Sequence, residues 1–177
     1  LQLLWINLVT DSIPAIMLTF EKADNDVMEN TPSNRSNTTF FTPFLNAKII
    51  ISSIFKSTTM ILLFLYFAKS TDIATAGSLM FIYLIANELL YSFNCRNLKK
   101  SILNKNIFEN RRLTIGVGAI VLVQLLVLCT GISKYFIVSD IPINNILLTL
   151  GICFLTFILG ELTKPIYVKL FKDYKAK

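Results

Sequence analysis

Residues 3–28 read LWINLVTDSIPAIMLTFEKADNDVM, and this stretch decides the class of fold. An apolar run from residue 1 to about residue 20 holds one charged side chain, Asp11, before giving way to Glu21, Asp24, Asp26 and Glu29. About 20 apolar residues is what a helix needs to cross a hydrocarbon core of about 30 Å. A carboxylate near the middle of such a run costs at least ~2.5 kcal/mol in lipid, so it faces a protein interior and marks an ion path more often than it faces acyl chains.

Outward from this stretch the same pattern repeats. Apolar runs at about 48–68, 74–94, 113–133 and 144–164 join the run at 1–20, and five transmembrane helices are expected. The composition agrees: of 177 residues 54% are hydrophobic and only 16% charged, with a mean hydropathy of +0.61. A soluble domain cannot cover that much apolar surface with its own polar groups. No alternating ten-residue pattern of an outer-membrane barrel is present, and the prolines and glycines fall mostly outside the runs, so the fold class is all-α. Cys95, Cys129 and Cys153 lie in or beside apolar runs without close spacing, and the sequence has no histidine. Neither a zinc site nor a disulfide framework is implied, and the cysteines read as packing residues. The chain opens on Leu1, directly in an apolar run and without a basic leader, and so reads as the tail of something longer.

Lys and Arg set the orientation. Arg96, Lys99, Lys100, Lys105, Arg111 and Arg112 crowd residues 95–112, and Lys164, Lys169, Lys172, Lys175 and Lys177 crowd the tail, whereas 69–73 and 134–143 hold only Lys69 and Lys134. The positive-inside rule places the basic segments and the C-terminus in the cytosol and residue 1 outside. That rule accounts for the basic loops, so they give no reason to expect a nucleic-acid partner; the bilayer is the expected surrounding. The loop at 21–47 is cytosolic by the same rule although it is acidic, and its polar, turn-rich stretch TPSNRSNTT (31–39) either packs against another cytosolic body or moves. Lys56, about two turns into its span, is expected to snorkel toward the interface.

The chemistry concentrates at Asn7, Thr10 and Asp11. Spacings of four and three residues place Asn7 on one helical face with Asp11 and Thr10. Pro14 has no N–H for the carbonyl of Thr10, and its ring clashes there, which opens or kinks the helix at Thr10 and Asp11. A carboxylate with neutral side-chain and backbone oxygens suits a hard cation such as calcium, which takes six to eight oxygens, more than this chain supplies. The same three residues would also serve as an interhelical hydrogen-bonding cluster without transport.

The run from Asn7 to Ala15, NLVTDSIPA, resembles the sixth transmembrane helix of P-type cation ATPases of the calcium-pump group. The continuation to Asp26, Val27 and Met28 resembles the loop that follows it, and Tyr91 to Arg96, YSFNCR, resembles the end of the eighth helix. The likeness covers the whole chain as helices six to ten of a ten-helix pump. It implies that Asn7, Thr10 and Asp11 ligate transported calcium, with Asp11 bridging where two ions bind. Asn7 stands where sodium–potassium and proton–potassium pumps are expected to have an aspartate, which favours calcium.

Two-site members carry a glutamate in the eighth helix that aligns here with Leu98, so a single ion per cycle is expected. Neither Glu161 nor Glu88 matches a ligand of the family: Glu161 is expected to pair with Lys164, and Glu88, beside Asn87, either faces a cavity or bonds a neighbouring helix, with contact to the ion or to a counter-proton path left open. The resemblance further implies that Mg-ATP is handled by cytosolic domains of a parent pump, and that the chain's partners are those domains and the remaining helices. No DKTGT phosphorylation motif occurs in the sequence, so the chain alone is expected neither to hydrolyse ATP nor to pump. Two alternatives stay open: a free-standing five-helix membrane protein such as an assembly factor or small permease, and a pump for manganese or a monovalent cation.

Overall fold

The computed structural model describes residues 1–21, 41–98, 101, 108–130, 136 and 141–170, all at helices or their connections and none in a strand. The expectations for the acidic residues after Glu21, for the stretch at 31–39, for Lys99, Lys100 and Lys105, and for the tail beyond 170 lie outside these residues. The elements are α1 (Gln2–Leu18), α2 (Pro43–Ser70), α3 (Ile73–Cys95), α4 (Arg111–Cys129) and α5 (Ile143–Leu170). Helices α2 to α5 are each long and apolar enough to cross a bilayer. The first apolar run makes the shorter α1, which at about 1.5 Å per residue rises about 25 Å.

Local chemistry sets the ends. Thr42 caps α2, its hydroxyl accepting from the Leu45 N–H at 3.2 Å, and Pro43 fills the first turn, where its missing N–H costs nothing. At the other end the Thr71 N–H and hydroxyl both donate to the Phe67 carbonyl, at 2.8 and 2.7 Å. Asp72 then caps α3, accepting from the Thr75 hydroxyl at 2.6 Å and its N–H at 3.0 Å. These bonds hold the Asp72 carboxyl below the usual carboxylate range. Only Thr71 and Asp72 separate α2 from α3, so the two helices form an antiparallel hairpin. Asn110 caps α4 through the Leu113 N–H at 3.0 Å.

Helix α3 is the axis of the bundle and packs against α1, α2 and α5. On one side Phe81, Ile85 and Leu89 meet Ile6 of α1, Ile120 and Val127 of α4, and Phe136. On the other, Ala76, Leu79, Met80 and Tyr83 meet Leu63 and Phe67 of α2 and Cys153 of α5. Buried small polar residues return their hydroxyls to the preceding turn, as Ser78 does to the Ala74 carbonyl at 2.9 Å and Thr156 to the Cys153 carbonyl at 2.7 Å. Lipid tails are as apolar as leucine, so van der Waals packing and interhelical hydrogen bonds, rather than a hydrophobic drive, join such helices. The outward leucines and isoleucines of α2, α4 and α5 remain exposed, as a lipid-facing surface requires. Cys153 is buried, Cys95 half-buried and Cys129 exposed, and all three are free thiols.

Candidate functional site

Helix α1 is not uniform. Residues Ile6–Asp11 form a π-helical turn between α-helical segments Gln2–Trp5 and Ser12–Leu18. Pro14 explains its location: with no N–H at Pro14 the ladder cannot close on the carbonyl four residues back, and the preceding turn widens. The Ser12 hydroxyl donates to the Asn7 carbonyl five residues back at 3.0 Å, bracing the widened turn.

Both ends of α1 are fastened. At its start the Gln2 amide donates to the Phe136 carbonyl at 2.5 Å, the Trp5 indole N–H donates to Gln124 Oε1 at 3.1 Å, and the Trp5 and Phe136 rings meet edge to face at 5.3 Å. At its end Glu21 receives Arg96 on both carboxylate oxygens, with contacts of 2.7 to 3.1 Å, and the Asn110 amide at 2.7 Å. Arg112 lies over the Phe20 ring, 4.1 Å from its centroid. The π turn is thus suspended between two anchored ends.

The three residues singled out from the sequence divide between two directions. Thr10 points into the bundle and is 1% exposed, while Asn7 and Asp11 lie on the open side of α1. The widened turn separates Thr10 from the face that regular α spacing would give all three. Across from them stands Glu88 of α3, whose carboxyl interacts directly with that of Asp11. Glu88 Oε2 and Thr10 Oγ1 are both buried without a hydrogen-bond partner among the described residues. The two interacting carboxyls have Lys56 within electrostatic reach of Glu88 and the unbonded Thr10 hydroxyl nearby, and a cation or a shared proton relieves what repulsion remains.

Glu88 is the residue that sequence reasoning underweighted. Its signal was the polar pair Asn87–Glu88 inside an otherwise apolar run; Asn87 is itself accounted for, its amide donating to the Thr156 hydroxyl at 3.4 Å. Leu98 lies elsewhere. Helix α3 ends at Cys95, and the Leu98 carbonyl, past that end, accepts from Lys48 Nζ at 3.4 Å. The carboxylate that α3 carries within its helix toward Asp11 is Glu88. The Lys56 ammonium sits over the Tyr91 ring, 3.3 Å from the centroid. No group of three or more acidic, cysteine or histidine side chains is gathered among the described residues, so any cation here depends on neutral oxygens or on groups from outside them.

Four long apolar helices, with a shorter one packed beside α3 and broken at a carboxylate, define a multi-pass integral membrane protein. Residues 1–166 match the family described as "Cation transporting ATPase, C-terminus", and the chain belongs to that family. It is similar to the calcium-transporting ATPase of Bacillus subtilis (strain 168), 30% identical over 130 residues, 72% of this chain and 14% of that protein. It is also similar to calcium-transporting ATPase 1 of Schizosaccharomyces pombe, 28% identical over 153 residues, 85% of this chain and 17% of that protein. With calcium-transporting ATPase type 2C member 2 of Mus musculus it is 27% identical over 171 residues, 93% of this chain and 18% of that protein. The chain therefore spans less than a fifth of the length of these relatives.

Proposed function

We propose that this chain supplies one wall of the cation site of an ATP-driven calcium pump, with Asp11 at its centre, Asn7 beside it on the open side of α1, Thr10 on the buried side of the same turn, and Glu88 reaching Asp11 from α3. The observation that carries this reading is the meeting of Asp11 with Glu88 at a π turn of an apolar helix. π turns occur disproportionately at functional sites, and two facing carboxyls in a low-dielectric setting demand positive charge. Calcium is the cargo that fits best, because hard oxygens of mixed charge in flexible geometry are its preferred ligands and the named relatives transport it. The open side of α1, where Asn7 and Asp11 lie, is where further helices of the parent would add the missing oxygens. ATP chemistry belongs to cytosolic domains of that parent, and the orientation follows the basic segments, with residue 1 outside and the C-terminus cytosolic.

In this arrangement a bound cation neutralises Asp11 and Glu88 together, and parting α1 from α3 weakens its hold. The fastened ends of α1 let a small displacement of the parent's helices act on the middle turn. The test is calcium-dependent phosphorylation by ATP in the full-length protein that carries this chain. Asp11→Asn should abolish it while leaving membrane expression intact, and a variant that keeps its calcium dependence would overturn the assignment. Manganese and sodium, added in competition, identify the cargo.

A further inference from the structure

Helices α1 and α3 run side by side in one direction, since Ile6 packs with Phe81 and Ile85, Asp11 meets Glu88, and Glu21 meets Arg96. Two arms therefore lead from the carboxyl pair to the ion pair. On α3 the arm is unbroken α-helix from Glu88 to Cys95, and the Arg96 N–H prolongs it by donating to the Phe93 carbonyl at 3.2 Å. At about 1.5 Å per residue, Arg96 stands about 12 Å beyond Glu88. On α1 the arm is the α-helical segment Ser12–Leu18, carried on by the N–H groups of Thr19, Phe20 and Glu21, which donate to the carbonyls of Ile16, Met17 and Leu18 at 3.2, 3.3 and 3.0 Å.

Three helices meet where these arms end. Arg96 holds both oxygens of Glu21. Asn110, at the start of α4, donates to Glu21 Oε2 at 2.7 Å and to the Met17 carbonyl at 3.4 Å, while its own Oδ1 accepts from the Leu113 N–H at 3.0 Å. Helix α4 presses on the same arm of α1 through a glycine: a Cβ on Gly116 would stand 3.0 Å from Met17 Cγ and 3.6 Å from Ile13 Cγ2. The anchors at the other end of α1 are placed differently. Gln2 on the Phe136 carbonyl and Trp5 on Gln124 act on Asp11 only through the π turn, where Pro14 leaves the ladder open and a displacement is absorbed first.

We propose that Arg96 is a positioning residue for the cation site: its two-point hold on Glu21 sets the height and rotation of α1 against α3, and with them the opposition of Asp11 and Glu88, whereas the anchors in the first turn of α1 do not. The proposal rests on the reading of Asp11 and Glu88 as cation ligands. Arg96 acts on them along the two arms and touches no cation itself. A planar guanidinium on two carboxylate oxygens fixes the direction of α1 as well as its distance, which the point charge of a lysine does not. A shift of about 1 Å between the arms is enough to spoil a site whose ligands come from both.

The test follows phosphorylation by ATP against free calcium in membranes holding the full-length protein, as wild type, Arg96→Lys, Gln124→Leu and Asp11→Asn. Arg96→Lys should raise the calcium concentration for half-maximal phosphorylation about tenfold, while the phosphoenzyme level at saturating calcium stays within about twofold of wild type. Gln124→Leu strands the Trp5 N–H and lowers the thermal unfolding midpoint as well, yet should move half-maximal calcium less than about twofold. A clamp that served stability alone would not separate the two variants. With Asp11→Asn abolishing the response, an unchanged half-maximal calcium in Arg96→Lys, or one raised as far in Gln124→Leu, overturns the proposal by itself. Calcium dependence retained in Asp11→Asn overturns the reading of the site, and the proposal with it. If Arg96→Lys does not reach the membrane, Glu21→Gln, which keeps the shape of a partly exposed side chain and removes its charge, carries the same expectations.

Discussion

Lys164 Nζ and Glu161 Oε1 meet at 2.5 Å inside the bundle, and neither side chain has any exposed surface. The pair is bonded on both flanks: Lys164 Nζ also donates to the Asn94 carbonyl at the end of α3, at 3.0 Å, and the Ser101 hydroxyl donates to Glu161 Oε2 at 3.1 Å. One residue pair on α5 thus fixes the end of α3 and the chain that leaves it.

Removing one member strands the other charge in a medium that cannot solvate it, at a cost of about 3–5 kcal/mol, whereas replacing both by apolar residues removes the burden with the attraction. Glu161→Leu and Lys164→Met should each lower the thermal unfolding midpoint of the detergent-solubilised full-length protein sharply. The double variant should recover most of that loss, short by the bonds to Asn94 and Ser101, each worth about 1 kcal/mol. A double variant as unstable as the sum of the single ones would show that the two residues act independently.

The grip of Arg96 on Glu21 makes a different prediction, because it joins α3 to the far end of α1. Arg96 is nearly buried and uses a planar fork on both oxygens, which a lysine cannot reproduce. Glu21 is about a quarter exposed, 27%, so solvent screens part of the attraction. Arg96→Lys should cost about 1–3 kcal/mol, and Arg96→Ala no less. Both should speed backbone hydrogen exchange in the last turn of α1 while the first turn, held by Gln2 and Trp5, exchanges as before. Equal loosening of both ends would mean that the clamp is not local.

Much of this fold was legible because run length and lipid thickness share a scale: the long apolar runs became α2 to α5. What a single sequence could not carry was which faces meet. Glu161 and Lys164 are three positions apart, so their pairing was readable, but its complete burial depends on the end of α3 being laid over it. Arg96 and Glu21 looked like loop charges, one basic and one acidic, and only packing shows them as partners. Pro14 announced a break in α1, though not that the break would be a π turn that sends Thr10 inward and leaves Asn7 and Asp11 outward. The contact between Glu88 and Asp11 joins helices remote in sequence, and the polar pair Asn87–Glu88 does not say which neighbouring helix it faces.

The π turn offers the sharpest separation of stability from function. Pro14 is buried and interrupts the ladder of α1, so Pro14→Ala restores an N–H donor and allows residues 6 to 11 to close as an ordinary α-helix. By propensity alone that change favours the helix by about 3 kcal/mol, offset in part by the small gap left where the ring packed. Thermal stability should therefore hold or rise. The site should suffer, because shifting the ladder by one residue rotates Asn7 and Asp11 relative to Glu88 and returns Thr10 toward their face. If the reading of Asp11 and Glu88 as cation ligands is right, Pro14→Ala in the full-length protein should raise the calcium concentration needed for half-maximal phosphorylation by about tenfold or more, a loss of about 1.4 kcal/mol. A variant that is as stable as the wild type and unchanged in calcium dependence would mean that the π turn serves packing and not the cation.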